Sequence, residues 1–157
     1  MISDNLAWVK AQIAETAQKA GRDPKSIRLV AVTKTVPEEK IIEAQKAGAD
    51  IFGENRVQEA LEKIGHLGQD RFTWHFIGHL QKNKVKHVVG HFDLIHSVDS
   101  AVLAQVIDEK SQARGQITRI LIQVNVSGEG SKFGVAPEEL AGTLRAVAKM
   151  EAVRVEG

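Results

Sequence analysis

A lysine at the end of a predicted strand is the residue of this chain best placed to do chemistry. Lys34 closely follows the apolar run Leu-Val-Ala-Val at 29–32, which is typical of a strand buried on both faces of a parallel sheet. Sheets and barrels of this kind bind ligands just beyond the carboxyl ends of their strands. A desolvated lysine there becomes nucleophilic and condenses with an aldehyde to a Schiff base. The alternative is a solvated loop lysine, since lysine is rarely buried.

The residues after Lys34 predict the start of a helix. Thr35 is the expected N-cap, Glu38 completes a capping box three residues later, and Pro37 suits the first turn. This arrangement places Lys34 between the end of a strand and the positive end of a helix.

Polar residues also follow the later predicted strands. Asn55, His79 and Ser97 come at or after strand ends, and Lys132 lies in the glycine-rich segment 127–134. Together these groups are able to orient a heteroaromatic ring and contact an anion. The alternative for each is local loop structure: Asp99 or Ser100 as an N-cap, Asn55 in a left-handed turn, and the glycine-rich segment as a surface loop.

Other candidate sites have less support. The lysines 82, 84 and 86 with His87 form either an anion or nucleic-acid patch or, as we favour, a solvated helix face without interleaved aromatic residues. His87 and His91 are four apart, but Gly90 separates them and no third ligand accompanies them, so we predict no metal site.

Composition excludes several classes of protein. Hydrophobic residues make up 43% and charged residues 26% of the 157 positions, as in an ordinary globular domain. The 21 basic and 20 acidic residues give no overall attraction to nucleic acid or anionic membrane. The chain contains no cysteine, which excludes disulfides and thiolate chemistry and suits a reducing cytoplasm. No apolar run approaches the length of a membrane span, about 20 residues.

Strands and helices alternate along the whole chain. The predicted strands lie at 28–34, 50–53, 72–77, 93–97, 119–126 and 153–156, and the predicted helices at 3–20, 36–48, 57–64, 81–89, 101–113 and 137–147. Strict alternation predicts right-handed crossovers and a parallel sheet. Because a complete eight-stranded barrel takes about 250 residues, we expect a single α/β domain over 1–157: a TIM-like (β/α) barrel with about six of its eight strands.

Five strand-end segments together resemble the pyridoxal phosphate homeostasis protein family, which is related to the N-terminal barrel of alanine racemase. They are AVTK at 31–34, FGENRVQE at 52–59, WHFIGHLQKNK at 74–84, IHSVD at 95–99, and QVN at 123–125 with SKFG at 131–134. The resemblance runs across almost the whole chain and recurs in the same order, so it is far more specific than any one motif.

The resemblance implies a cytoplasmic barrel of pyridoxal phosphate fold type III. Lys34 matches the lysine that holds pyridoxal 5′-phosphate as a Schiff base, and Asn55 and His79 fall in motifs lining the cofactor site, with Ser97 and Lys132 as neighbours. Members are regarded as cofactor carriers or regulators of vitamin B6 and amino-acid balance without an established reaction, so the expected function is binding, with pyridoxal phosphate-dependent apoenzymes as expected acceptors.

Family members continue past Gly157 with segments that hold the cofactor phosphate and ring. We therefore expect the 157-residue chain to retain the cofactor weakly, since each charge-assisted phosphate hydrogen bond contributes about 1.5 to 3 kcal/mol. The complete protein is expected to be a monomer, and a barrel lacking two strands to associate through its open edges.

Three alternative functions remain open at this stage. The first is an amino-acid racemase, against which the absence of tyrosine argues, although His79 keeps weak racemase or transferase chemistry open. The second is a barrel aldolase using Lys34 without a cofactor, and the third a nucleic-acid or regulator-binding protein.

Overall fold

A computed structural model describes residues 1–130 and 132–157. The strands are β1 (Val30–Val32), β2 (Ile51–Glu54), β3 (Thr73–Phe76), β4 (Leu94–Val98), β5 (Thr118–Ile122) and β6 (Val153–Val155). The helices are α1 (Ile2–Lys19), α2 (Glu38–Lys46), α3 (Val57–Leu67), α4 (Val85–Val88), α5 (Ala101–Ala113) and α6 (Leu140–Val147). Short 3₁₀ turns lie at Pro24–Ser26, Gln69–Arg71, Lys82–Lys84 and Pro137–Glu139.

All six strands form one parallel sheet in the order in which they occur along the chain. The predicted α/β alternation and the six parallel strands are therefore confirmed. Because all strands run the same way, their carboxyl ends meet at one edge of the sheet. We call that edge the mouth; it consists of the segments 33–36, 55–56, 77–81, 97–100, 123–130 and 132–135.

The largest buried side chains pack between the sheet and its helices. Phe52 on β2 and Trp74 on β3 are completely buried, and Phe72 contacts both rings, with centroids 5.2 and 5.5 Å away. Ile41 of α2 and Ile107 of α5 are equally buried. Burial of this kind contributes about 1.5 to 3 kcal/mol for each large side chain, so this layer fixes the strands whose ends form the mouth.

The prediction that the first strand is buried on both faces is wrong. β1 lies at an edge of the sheet and pairs with β2 alone among the described strands, so Val32 is 51% exposed. The strand predicted at 119–126 is also shorter than expected. β5 ends at Ile122. The Gln123 amide still donates to the Val98 carbonyl of β4, but beyond it the Gln123 carbonyl and the Asn125 amide both bond to the backbone of Val135.

The basic helix predicted at 81–89 is only partly helical. Lys82–Lys84 forms a 3₁₀ turn, α4 covers a single α-helical turn, and Val89 is already extended. Its buried valines, Val85 and Val88, attach the segment to the core. In the described part of the chain, no helix combines the length and apolarity that crossing a bilayer requires.

Candidate ligand site at the mouth of the sheet

Lys34 lies in a tight turn directly after β1. The Val36 amide donates to the Thr33 carbonyl at 3.0 Å, and the Lys34 side chain between them is exposed. Among the described residues, its ammonium has no hydrogen-bond or ion-pair partner. The lysine is therefore available to a ligand at the mouth.

Thr35 is not the N-cap that the sequence predicted. α2 begins at Glu38, Pro37 occupies the N-cap position, and no side chain caps the helix. Thr35 instead adopts a φ of 60°, the one positive φ among the described residues other than glycine. Its amide donates to Glu59 Oε1 at 2.6 Å. The capping box fails because Thr35 belongs to the turn that follows Lys34.

A buried ion-pair network lies beside this turn. Lys63 Nζ donates to Glu54 Oε1 at 2.8 Å, to Glu59 Oε1 at 2.7 Å and to the Thr33 carbonyl at 2.7 Å. The Thr33 hydroxyl also donates to Glu54 Oε1, at 2.7 Å. The Lys63 bond lowers the pKa of Glu59. This network was not predicted, although the spacing of Glu59 and Lys63, four apart on a helix, is typical of an ion pair.

Asn55 and Gly78 bring the ends of β2 and β3 together. A Cβ on Gly78 would lie 2.1 Å from the Asn55 carbonyl oxygen, so only glycine permits this approach. The side-chain oxygen of Asn55 is buried and has no hydrogen-bond partner among the described residues. Asn55 does not adopt the left-handed conformation offered as its alternative role.

His79 lies in the loop after β3 and contacts both the glycine-rich loop after β5 and the segment after β4. Its ring stacks on Phe133, with centroids 3.6 Å apart and planes 13° apart, and its Nδ1 lies 3.7 Å from Asp99 Oδ2. The contact with Phe133 was not predicted. His79 and Asn55 line one open groove of about 710 Å³ between α3 and the loop after β3.

The glycine-rich loop is organised by Asn125. The Asn125 side-chain amide donates to the carbonyls of Glu129 and Lys132, at 3.0 and 3.3 Å. The Lys132 ammonium lies 2.8 Å from Glu129 Oε1. Ser131, part of the SKFG motif, lies outside the described residues.

Ser97 lies within β4 and is 3% exposed. Its hydroxyl has no hydrogen-bond partner among the described residues. Ser100, by contrast, caps α5 by accepting from the Leu103 amide at 3.2 Å, so the capping role suggested for it is confirmed. Lys34, Ser97 and Lys132 belong to the mouth but do not line the groove shared by Asn55 and His79.

Two histidines face each other in the middle of the sheet. His96 Nε2 lies 2.9 Å from His75 Nδ1, and His75 is only 3% exposed. Burial, together with the nearby charge of His96, lowers the pKa of His75 to about 4. Burial also lowers the pKa of His96. In the described part of the chain, no three histidine, aspartate or glutamate side chains are grouped to hold a metal ion.

The donor set of the mouth fits a polar aromatic aldehyde. Lys34 offers an exposed amino group, while Asn55 and Ser97 each have a buried oxygen that lacks a partner among the described residues. Buried polar atoms of this kind are normally satisfied, and a polar ligand at the mouth would be able to complete the unpaired oxygen on each of these two segments.

The chain is similar in sequence to known proteins of one family. The model of the alanine racemase N-terminal domain family matches residues 5–157. The pyridoxal phosphate homeostasis protein of Pseudomonas aeruginosa is 45% identical over 156 residues, which cover 99% of this chain and 68% of that protein. The chain thus spans about two thirds of the length of this relative.

Solved structures show the same fold. PipY of Synechococcus elongatus, solved with pyridoxal phosphate bound, superposes with a TM-score of 0.85 at 36% identity and covers all of this chain and 68% of PipY. Alanine racemase of Corynebacterium glutamicum has a TM-score of 0.65 over 83% of this chain and 38% of the racemase. At 20% identity, the likeness to the racemase shows the fold alone.

Proposed function

Because the chain belongs to the alanine racemase N-terminal domain family and, within it, to the pyridoxal phosphate homeostasis proteins, we propose that it binds pyridoxal 5′-phosphate through Lys34. The incomplete barrel is accordingly one of pyridoxal phosphate fold type III. The observation that carries the proposal is the position of Lys34, exposed in a turn at the carboxyl end of β1, in a chain 36% identical to a protein solved with this cofactor.

The covalent step requires only the lysine and the aldehyde. The neutral Lys34 nitrogen adds to the aldehyde carbon, a C=N bond replaces the C=O bond, and the aldehyde oxygen leaves as water. No oxidant or reductant takes part. Of the chain's own residues, Asn55 and His79 are proposed to shape the ring site, and Ser97 and Lys132 to border it.

The role we propose is that of a cofactor carrier or regulator. We propose further that the chain acts as one domain in the cytoplasm, with pyridoxal phosphate-dependent apoenzymes as acceptors. The names of the relatives support homeostasis. The racemase alternative has weaker support, because the racemase neighbours share only the fold.

The test is to map where the cofactor attaches. Pyridoxal 5′-phosphate is added to the wild-type chain, to Lys34→Ala and to Lys34→Arg, borohydride reduces the adducts, and peptide mass spectrometry locates the modified lysines. We expect a single major adduct on Lys34 that both variants lose. Labelling spread over exposed lysines such as Lys82, Lys84 and Lys132, and unchanged in the variants, would contradict the proposal.

A further inference from the structure

The network around Lys63 is poorly explained by stability. The Lys63 side chain is 9% exposed and that of Glu54 is completely buried. Buried ion pairs often contribute no more stability than apolar side chains of the same size, because removing two charges from water is unfavourable. The Glu54 carboxylate also uses one oxygen for both of its hydrogen bonds, and its Oε2 has no partner among the described residues. The arrangement therefore suits positioning better than stabilisation.

What the network holds is the backbone on both sides of Lys34. On one side, Lys63 binds the Thr33 carbonyl, and Glu54 binds the Thr33 hydroxyl. On the other, Glu59 accepts the Thr35 amide while it is itself bound to Lys63. A single ammonium thus links the residue before Lys34 to the residue after it.

The conformation being held is an unfavourable one. Thr35 is β-branched and has a φ of 60°, a region in which such residues are outliers. Strained backbone of this kind persists only where its surroundings hold it, and it concentrates at functional sites. The Glu59 carboxylate supplies that hold through the Thr35 amide.

We infer that Lys63, acting through Glu54 and Glu59, is a positioning residue that fixes the Lys34 turn for cofactor attachment. This inference rests on the proposed function. It assigns Lys63 no contact with the cofactor, only control over where the strand-end lysine stands.

The pKa shifts of Lys63 and Glu59 favour the charged form of both side chains. Burial alone would lower the pKa of Lys63, but its hydrogen bonds to Glu54 and Glu59 outweigh burial and raise that pKa. The pKa of Glu59 is lowered, first by the Lys63 bond and then by the Thr35 amide. The Lys63–Glu59 pair is therefore charged across the neutral range.

Glu59→Ala is the first test variant, because Glu59 is 25% exposed and its loss leaves the Lys63–Glu54 pair in place. We expect hydrogen exchange of the Thr35 amide in the cofactor-free chain, followed by NMR, to accelerate about tenfold or more as the strained turn opens. Adduct formation on Lys34 at limiting cofactor should slow by a similar factor. Glu109→Ala, which removes a carboxylate from α5, is the matched control and should change neither.

Lys63→Met removes the hub itself, with Lys10→Met as its control. Lys10 also donates to a backbone carbonyl, that of Gly48 at 2.6 Å, but at the opposite end of the sheet. We expect Lys63→Met to slow the formation of the Lys34 adduct more than Glu59→Ala does. Lys10→Met should leave that rate unchanged. Urea unfolding of each variant establishes that the compared chains are folded.

Thr35→Gly separates positioning from general destabilisation. Glycine adopts a positive φ without strain, so Glu59→Ala should slow the adduct less in the Thr35→Gly background than in the wild-type background. If Glu59→Ala leaves both Thr35 exchange and Lys34 adduct formation within twofold of wild type, the inference is wrong. If wild type forms no Lys34 adduct while Thr35 exchange responds as expected, it is the proposed function that fails.

Discussion

The two ends of the sheet differ in whether the polar groups described below have hydrogen-bond partners. At the amino ends of the strands, Asp93 Oδ2 accepts the Trp74 amide at 2.7 Å, Lys10 binds the Gly48 carbonyl, and Gln69 binds the Gly90 carbonyl. At the mouth, the oxygens of Asn55 and Ser97 are buried without a partner among the described residues.

The difference separates a structural end from a binding end. A buried polar group without a partner costs about 1 to 3 kcal/mol, so a chain selected for stability alone would pair or remove it. In (β/α) barrels, ligand sites lie at the carboxyl ends of the strands. The mouth therefore retains two oxygens that a ligand is able to satisfy, whereas the backbone groups named at the amino ends are paired within the protein. The indole nitrogen of Trp74 is also buried and lacks a partner among the described residues, so the contrast concerns these backbone groups and not every polar atom.

The largest expected effect comes from His75, between the two ends. The folded chain lowers the pKa of His75 from 6.5 to about 4, so the unfolded chain binds this proton first as the pH falls. The free energy of unfolding should therefore fall between about pH 6.5 and about pH 4, by about 3 kcal/mol. Urea unfolding across this range measures it.

His75→Gln isolates that contribution. The variant should lose most of this acid dependence, whereas His66→Gln, at a histidine whose side chain is 70% exposed, should retain it. Equal acid dependence in His75→Gln and wild type would show that the mouth or the surface carboxylates, and not this pair, set the acid sensitivity.

Asp93→Ala tests the structural end. The substitution leaves the amide of the fully buried Trp74 without its carboxylate partner, and hydrogen bonds to charged groups contribute about 1.5 to 3 kcal/mol. We expect the free energy of unfolding to fall by that amount, while the rate of adduct formation on Lys34 stays unchanged in the folded chain. Asp93→Asn, which keeps an acceptor, should lose less. A normal stability for Asp93→Ala would remove the contrast between the two ends.

Two buried serines sharpen the comparison, because replacement by alanine should lower the free energy of unfolding at one of them and not at the other. Ser111 is completely buried and its hydroxyl bonds to the Ile107 carbonyl and to Thr118 Oγ1, each at 2.7 Å, so Ser111→Ala should destabilise the chain by about 1 kcal/mol. Ser97→Ala removes an unpaired hydroxyl and should leave stability unchanged or raise it by about 1 kcal/mol.

The two serine variants should also differ in how well they retain the cofactor. Ser97→Ala should weaken retention of pyridoxal 5′-phosphate several-fold, and Ser111→Ala should not, when both are measured on folded protein by equilibrium dialysis. Destabilisation by Ser97→Ala with unchanged retention would make Ser97 an ordinary core residue.

The sequence was sufficient for the elements that depend on local pattern. The apolar periodicity of 101–113 predicted α5 with the bounds that the structure gives, and the strand-helix alternation predicted six parallel strands in order. These features follow from the spacing of apolar side chains and from the general right-handedness of crossovers, and a single sequence is enough to apply both rules.

The features it missed depend on contacts between distant residues. Thr35, Pro37 and Glu38 fit a capping box locally, but Glu59, 24 residues away, binds the Thr35 amide and favours a different turn. Likewise, the stacking of Phe133 on His79 joins two loops that no local pattern relates. The five proposed site residues were first identified by their positions at or after predicted strand ends, and the resemblance then gave them cofactor roles. The structure adds which of them share a groove.

The smallest expected effect concerns Lys132, at the rim of the mouth. Its ion pair with Glu129 joins side chains that are 58% and 56% exposed, and such pairs contribute about 0 to 1 kcal/mol because water and salt screen them. Lys132→Ala should therefore change the free energy of unfolding by less than about 0.5 kcal/mol. Lys19→Ala is the matched control, since it breaks an exposed pair with Glu15 on α1.

Retention of the cofactor distinguishes these two lysines where stability does not. If Lys132 borders the cofactor site, Lys132→Ala weakens retention of pyridoxal 5′-phosphate a few-fold, and the effect shrinks as salt is added, because the contact is electrostatic and exposed. Lys19→Ala should leave retention unchanged at every salt concentration. Equal retention by the two variants would show that Lys132 does not contact the cofactor. The binding site would then consist of the residues nearer the strand ends.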